Sequence, residues 1–170
     1  GGPLTTNVVT ISVNPNLVVG SVSANQTICA GATPAQLTGV APTGGSTAYT
    51  YQWQNSPDNV TFTNISGATS LNYQPGALVA TTYYRQIQSG GCGSPLTTNV
   101  VTITVNPVLV VGSISANQTI CTGSTPAQLT GVAPTGGATP YSYQWQNSPN
   151  NVTFTNISGA TGLNYQPGAL

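Results

Sequence analysis

The chain repeats itself. Set against itself at an offset of 92, the 170-residue sequence places Pro3 on Pro95, Cys29 on Cys121 and Trp53 on Trp145, and residues 1–78 differ from 93–170 at 11 positions. Most of the differences are mild, as in Ser12/Thr104, Val22/Ile114, Thr50/Ser142 and Asp58/Asn150. Polar positions stay polar and apolar positions stay apolar, as happens when one fold is built twice. The centre of the repeat is Tyr51–Leu78, which returns at Tyr143–Leu170. This register predicts the final strand of a preceding repeat plus a short linker in residues 1–19, a complete repeat in 20–111, and a partial repeat in 112–170 that lacks its last two strands. Residues Val79–Cys92 occur once, so the chain reads as a window cut from a longer array.

Charge narrows the function classes. Arg85 is the only basic residue, Asp58 the only acidic one, and there is no His. Ordinary chains are about 25% charged. Nucleic acid is an unsuitable partner, because binding it requires several Lys or Arg to neutralise phosphates. Catalysis is equally hard to assemble, since general acid–base work needs His or a tuned carboxylate. Asp58 sits in a Ser-Pro-Asp-Asn turn and is replaced by Asn150 in the second copy, so no catalytic, metal or cofactor-binding residue is expected. No apolar run approaches the roughly 20 residues that span a bilayer, so membrane insertion is not expected either. The apolar fraction is an ordinary 38%, arranged in short alternating runs, and the chain should fold as β. A surface without net charge favours association and suits an immobile array or fibre.

In order, Thr6–Val13 alternates so that Val9, Ile11 and Val13 share one face, and it is expected as a half-buried strand ended by Pro15. The apolar connector Asn16–Gly20 predicts a stiff rod rather than a flexible string. Strands are then expected near Ser21–Ile28, Ala35–Val40, Ala48–Gln54, Val60–Thr63, Ser70–Tyr73, Thr82–Gln88 and Thr98–Val105. Seven short strands in about 90 residues, with Gly, Pro or Asn between most of them, predict an all-β fold of tandem immunoglobulin-like (fibronectin-III-like) seven-stranded β-sandwich repeats. Tyr51 and Trp53, with Tyr143 and Trp145 in the second copy, are the expected core. In Tyr83-Tyr84-Arg85-Gln86-Ile87 the inward face stays open, because burying Ile87 would also bury Arg85 unless Arg85 stacks on an aromatic.

Cys29 follows the first strand and Cys92 the sixth, and in a sandwich both can sit at one end. A disulfide between them is expected, closing a loop that restricts the unfolded chain by roughly 4 kcal/mol. Cys121 would then pair with a residue outside the window. Free thiols are the alternative, and a metal site is a poor third. A disulfide implies an oxidising, extracellular compartment. Six Asn-X-Ser/Thr sequons, at Asn25, Asn59, Asn64, Asn117, Asn151 and Asn156, are possible glycosylation sites. Exposed aromatics in Tyr141-Ser142-Tyr143-Gln144-Trp145 would instead suit a module that stacks on surface glycans.

The runs ICAGATPAQLTG, YQWQNSPDNVTFTNISGATSLNYQPGAL, TTYYRQIQSGGCGS and TNVVTISVNP resemble the Ig-like repeats of large secreted surface proteins and gliding-associated adhesins of Bacteroidota. The resemblance covers essentially the whole chain and implies a seven-stranded sandwich in a cell-surface stalk or adhesive filament. Its partners would be other copies of the repeat or neighbouring filament chains. The resemblance brings no catalytic residues to carry over.

Overall fold

A computed structural model describes residues 1–46 and 48–170. The chain forms two compact units, Gly1–Val105 and Asn106–Leu170. All eight assigned elements are strands: β1 (Gln26–Cys29), β2 (Thr50–Ser56), β3 (Thr63–Asn64), β4 (Thr82–Ser89), β5 (Leu96–Thr97), β6 (Val101–Asn106), β7 (Gln146–Asn147) and β8 (Thr155–Asn156). The protein is all-β.

In the first unit one sheet runs in the order β1-β6-β4-β2-β3, with β5 beside β4. Its centre is the antiparallel β2–β4 ladder, registered from Thr50↔Ser89 to Ser56↔Tyr83. Opposite it lies a sparser layer held by the bridges Val22↔Gly39 and Leu37↔Tyr73. Between the two, Trp53, Leu37, Val101 and Ile103 are fully buried, and Val22, Ala68 and Tyr84 complete the cluster. The architecture is sandwich-like. Much of the second layer is stapled by side-chain amides instead of a continuous ladder. Gln26 both accepts from Ala35 N–H at 2.8 Å and donates to Ala35 C=O at 3.1 Å, and Asn72 accepts from Gly39 N–H at 3.0 Å. Asn99 joins that layer to the sheet, accepting from Val22 N–H at 2.9 Å and donating to Val22 C=O at 3.2 Å. An amide carries both a donor and an acceptor and can copy the backbone's own pairing. This explains how a chain almost without charges satisfies its buried edges.

Several expectations need correction. Thr6–Val13 is not a strand: Val9, Ile11 and Val13 are 77%, 85% and 88% exposed. Nearly the same residues at Thr98–Val105 supply β6, where Val101 and Ile103 are fully buried because β4 lies alongside. Half-buried alternation makes a strand only where a partner exists. Part of the expected connector belongs to the fold: Leu17 is 9% exposed, and Val18 exchanges two hydrogen bonds with Thr43 at 2.8 and 2.9 Å. Gly20 is required there, since a Cβ would strike the carbonyl of Val40.

The expected Cys29–Cys92 disulfide is also overturned. Cys29 and Cys92 are not bonded to each other. Asn99 reaches Val22 and Asn25 accepts from Thr102 N–H at 2.9 Å, so the chain through β1 advances in step with β6 and brings Cys29 level with Asn106. There it neighbours Gly31, whose N–H donates to Leu78 C=O, just ahead of the start of β4. Cys92 follows the other end of β4. Eight strand residues at about 3.3 Å each separate the two by roughly 25 Å, against a limit near 7 Å between bridged Cα atoms. Reducing agent is accordingly expected to leave the thermal midpoint of the first unit unchanged. A disulfide would have made it fall by roughly 10 °C or more, as calorimetry with and without reductant would show.

Candidate functional site

The second unit rebuilds half of the first. Val110↔Thr135, Ile114↔Gly131 and Leu129↔Tyr165 repeat the bridges of the first unit at the 92-residue offset, and β7–β8 repeats β2–β3. The tryptophan setting is reproduced closely. Trp53 N–H donates to Ala68 C=O and Trp145 N–H to Ala160 C=O, both at 2.9 Å. Their rings lie 5.9 and 5.8 Å from Tyr73 and Tyr165.

Burial separates the two copies. The given residues of the second copy match the first only as far as Leu78, so they include no counterpart of β4 or β6, and the side chains those strands cover in the first unit stand exposed in the second. Ile114 is 69% exposed where Val22 is 7%, and Leu109 is 53% exposed where Leu17 is 9%. The uncovered face is a groove of about 650 Å³ lined by Leu109, Ile114, Val132, Tyr143, Trp145 and Phe154, among others. Trp145 is half-buried where Trp53 is fully buried. Tyr51 and Tyr143 are both half-buried, so the fully buried centre consists of Trp53 without its neighbouring tyrosine.

In the first unit the corresponding groove is filled by β4, and this settles its open face. Tyr84, Gln86 and Gln88 point inward, while Tyr83, Arg85 and Ile87 are half-buried outside. Arg85 stacks on Phe62 at 3.9 Å, and its Nε donates to Gln54 Oε1 at 2.8 Å. Gln86 and Gln88 are fully buried and fully used. Gln86 Nε2 donates to the carbonyls of Ser70 and Leu71 at 3.2 and 3.1 Å. Gln88 Nε2 donates to Val40 C=O and Gln86 Oε1, both at 2.9 Å, while Gln88 Oε1 accepts from Gly20 N–H at 2.8 Å. Among the described residues no buried side-chain nitrogen or oxygen lacks a partner. Reading the sequence for apolar alternation passed over this pair, because Gln normally marks the outer face. The signal was present: the two glutamines alternate in phase with Tyr84 in a strand whose other face carries the only Arg.

The six sequon asparagines, Asn25, Asn59, Asn64, Asn117, Asn151 and Asn156, are exposed and scattered rather than gathered into a site. Asn59 and Asn151 take positive φ in matching turns, at 60° and 56°. Asp58 Oδ1 in the first of these turns accepts from Val60 N–H and Thr61 N–H at 2.9 Å and from Ser56 Oγ at 2.7 Å. The Thr61 and Val60 amides hold its carboxyl down at about 2, from an ordinary 3.8. Asn150 accepts the equivalent amides of Val152 and Thr153 at 3.0 Å without a charge. A depressed carboxyl contributes stability above its unfolded value that is lost as pH falls through the folded one. The first unit should therefore weaken between about pH 4 and pH 2, and Asp58→Asn should flatten that limb in an acid titration followed by circular dichroism. At the other extreme, burial raises the Tyr84 hydroxyl to about 12 from 10.0, with Tyr73 adding to the shift. Its contribution is complete below pH 10 and is lost as pH climbs toward 12, and Tyr84→Phe should remove that alkaline limb.

Among the described residues no group of three or more His, Cys, Asp or Glu could hold a metal ion, and no helix is long and apolar enough to cross a membrane. The fold defines an all-β, sandwich-like protein in which one set of bridges and tryptophan contacts is made twice. The chain belongs to the family described as Domain of unknown function (DUF8696), whose model matches residues 18–107 and 110–170. No curated protein matches it.

Proposed function

We propose that this chain is part of an extracellular, cell-surface stalk or adhesive filament built of tandem Ig-like β-sandwich domains, working by architecture and without catalysis. The observation that carries this reading is the duplicated half-fold: one set of bridges, amide staples and tryptophan contacts is made twice from nearly one sequence. Repetition of a self-contained unit is how chains gain length and multiplicity without new chemistry. The sheet order β1-β6-β4-β2-β3 opposite a layer bridged through Val22, Leu37 and Tyr73 supports an Ig-like topology. A single Arg and a single Asp favour contact with other copies of the repeat over charged partners.

The test is immuno-electron microscopy of cells that make the protein, with surface proteolysis alongside. Label on surface fibres or stalks, removed by protease added outside, is expected. Label confined to the cell interior would overturn the proposal. A glycan-binding module is the second reading, favoured by Tyr143, Trp145 and Phe154 lining one groove. Against it, the equivalent Trp53 is fully buried beneath β4 in the first unit, where an aromatic serves the scaffold. Saturable binding on a glycan array that disappears in a Tyr143→Ala variant would favour the second reading.

A further inference from the structure

We propose that Cys92 forms a disulfide between copies of this chain, its partner being Cys29, or the matching Cys121, of a second copy. The bond deepens the stalk reading and rests on it for an oxidising compartment, but which cysteines pair can be read on the purified chain whether or not that reading holds.

The two cysteines of the first unit stand at opposite ends. Roughly 25 Å separates them, against a limit near 7 Å between bridged Cα atoms. Cys29 closes β1 at the end where the chain leaves the unit, because Asn25 accepts from Thr102 N–H and the two segments then advance together toward Asn106. Cys92 follows β4 at the end where the chain enters, since a Cβ on the nearby Gly90 would meet Tyr49 and Leu17. A pair that cannot close within one copy is complementary between two. Wherever the exit end of one copy meets the entry end of another, a Cys29-type thiol comes to a Cys92, whereas two like ends bring like thiols together.

Both ends are shaped for the contact. Cys29 is exposed at the first position of a tight turn, in which Ala32 N–H donates to Cys29 C=O at 3.0 Å and Gly31 takes a φ of 85°. Gly31 N–H also donates to Leu78 C=O at 2.7 Å, which pins the turn to the body of the unit. The same turn carries exposed Cys121, with Ser124 N–H donating to Cys121 C=O at 3.0 Å and Gly123 at 80°. At the entry end, half-buried Cys92 lies between Gly91 and Gly93 on the rim of a cleft of about 300 Å³, whose walls include Ala48, Thr50, Gly90 and Pro95. Small side chains there leave room for an incoming turn. The bond forms by exchange with a low-molecular-weight disulfide. The Cys92 thiolate attacks it and expels one thiolate, and the Cys29 thiolate then attacks the Cys92 sulfur of the mixed disulfide and expels the other. Two protein thiols lose two protons and two electrons, and the small disulfide becomes two thiols.

The test equilibrates an equal mixture of unlabelled and isotope-labelled full chains with oxidised and reduced glutathione, and maps the bonds by peptic digestion and mass spectrometry. Bonds between labelled and unlabelled chains should join Cys92 to Cys29 or Cys121 at least about tenfold more often than they join Cys92 to Cys92, or Cys29 and Cys121 among themselves, a preference that a single specific hydrogen bond can supply. Cys92→Ser should abolish covalent oligomers and leave the circular dichroism unchanged. Thr50→Trp, which fills the cleft from an exposed position, should slow crosslinking several-fold. The proposal is overturned if like thiols pair as often as unlike ones, if Cys29 bonds to Cys92 of its own chain, if only glutathione adducts form, or if Thr50→Trp crosslinks as fast as the native chain.

Discussion

Trp53→Ala should cost the first unit about 3–5 kcal/mol, the range for removing a fully buried large aromatic. Its backbone N–H donates to Ala68 C=O at 2.9 Å, its indole N–H donates to Ser70 C=O at 3.0 Å, and its ring lies 5.9 Å from Tyr73 within the cluster that Tyr84, Val101 and Ile103 complete. Urea unfolding of the variant, followed by far-ultraviolet circular dichroism, gives the number. A loss below about 1 kcal/mol would mean that Trp53 is not the centre of that core.

The second large effect runs against ordinary core logic. Replacing Gln86 and Gln88 together by Leu puts more apolar surface into a fully buried site, and area alone would predict a gain. We expect a loss of roughly 3–6 kcal/mol, because the carbonyls of Leu71 and Val40 and the N–H of Gly20 lose their partners inside the fold. Ser70 C=O keeps the indole donor of Trp53 and should matter least. Urea unfolding of the double variant measures the total. A more stable variant would show that the glutamines are tolerated in the core and do not hold the layers together.

How far the fold could be read from sequence depends on which physical signal each element carried. The repeat, the all-β class and the strands around Trp53 and Tyr84 were legible because backbone alternation and turn residues are local. The inward face of β4 was not. Its buried residues are amides whose partners at Val40 and Ser70 are remote in sequence, and nothing local says that such partners exist. Thr6–Val13 and Thr98–Val105 show the same limit from the other side, since nearly identical sequence is exposed in one place and core in the other. Cys29 and Cys92 were both assigned correctly to strand ends, but which ends coincide depends on whether β1 runs with β6 or against it. That direction is fixed by Asn99 and Asn25, long-range contacts with no signature in spacing.

The fold of the first unit turns on β4 closing the core over Tyr51–Leu78 with Gln86 and Gln88 turned inward. Residue-resolved hydrogen exchange addresses this most directly. The amides of Trp53 and Ile65 should exchange only through unfolding of the whole unit, and at least about 100-fold faster once Gln86 and Gln88 are both replaced by Leu. Equal protection with and without the two glutamines would contradict it.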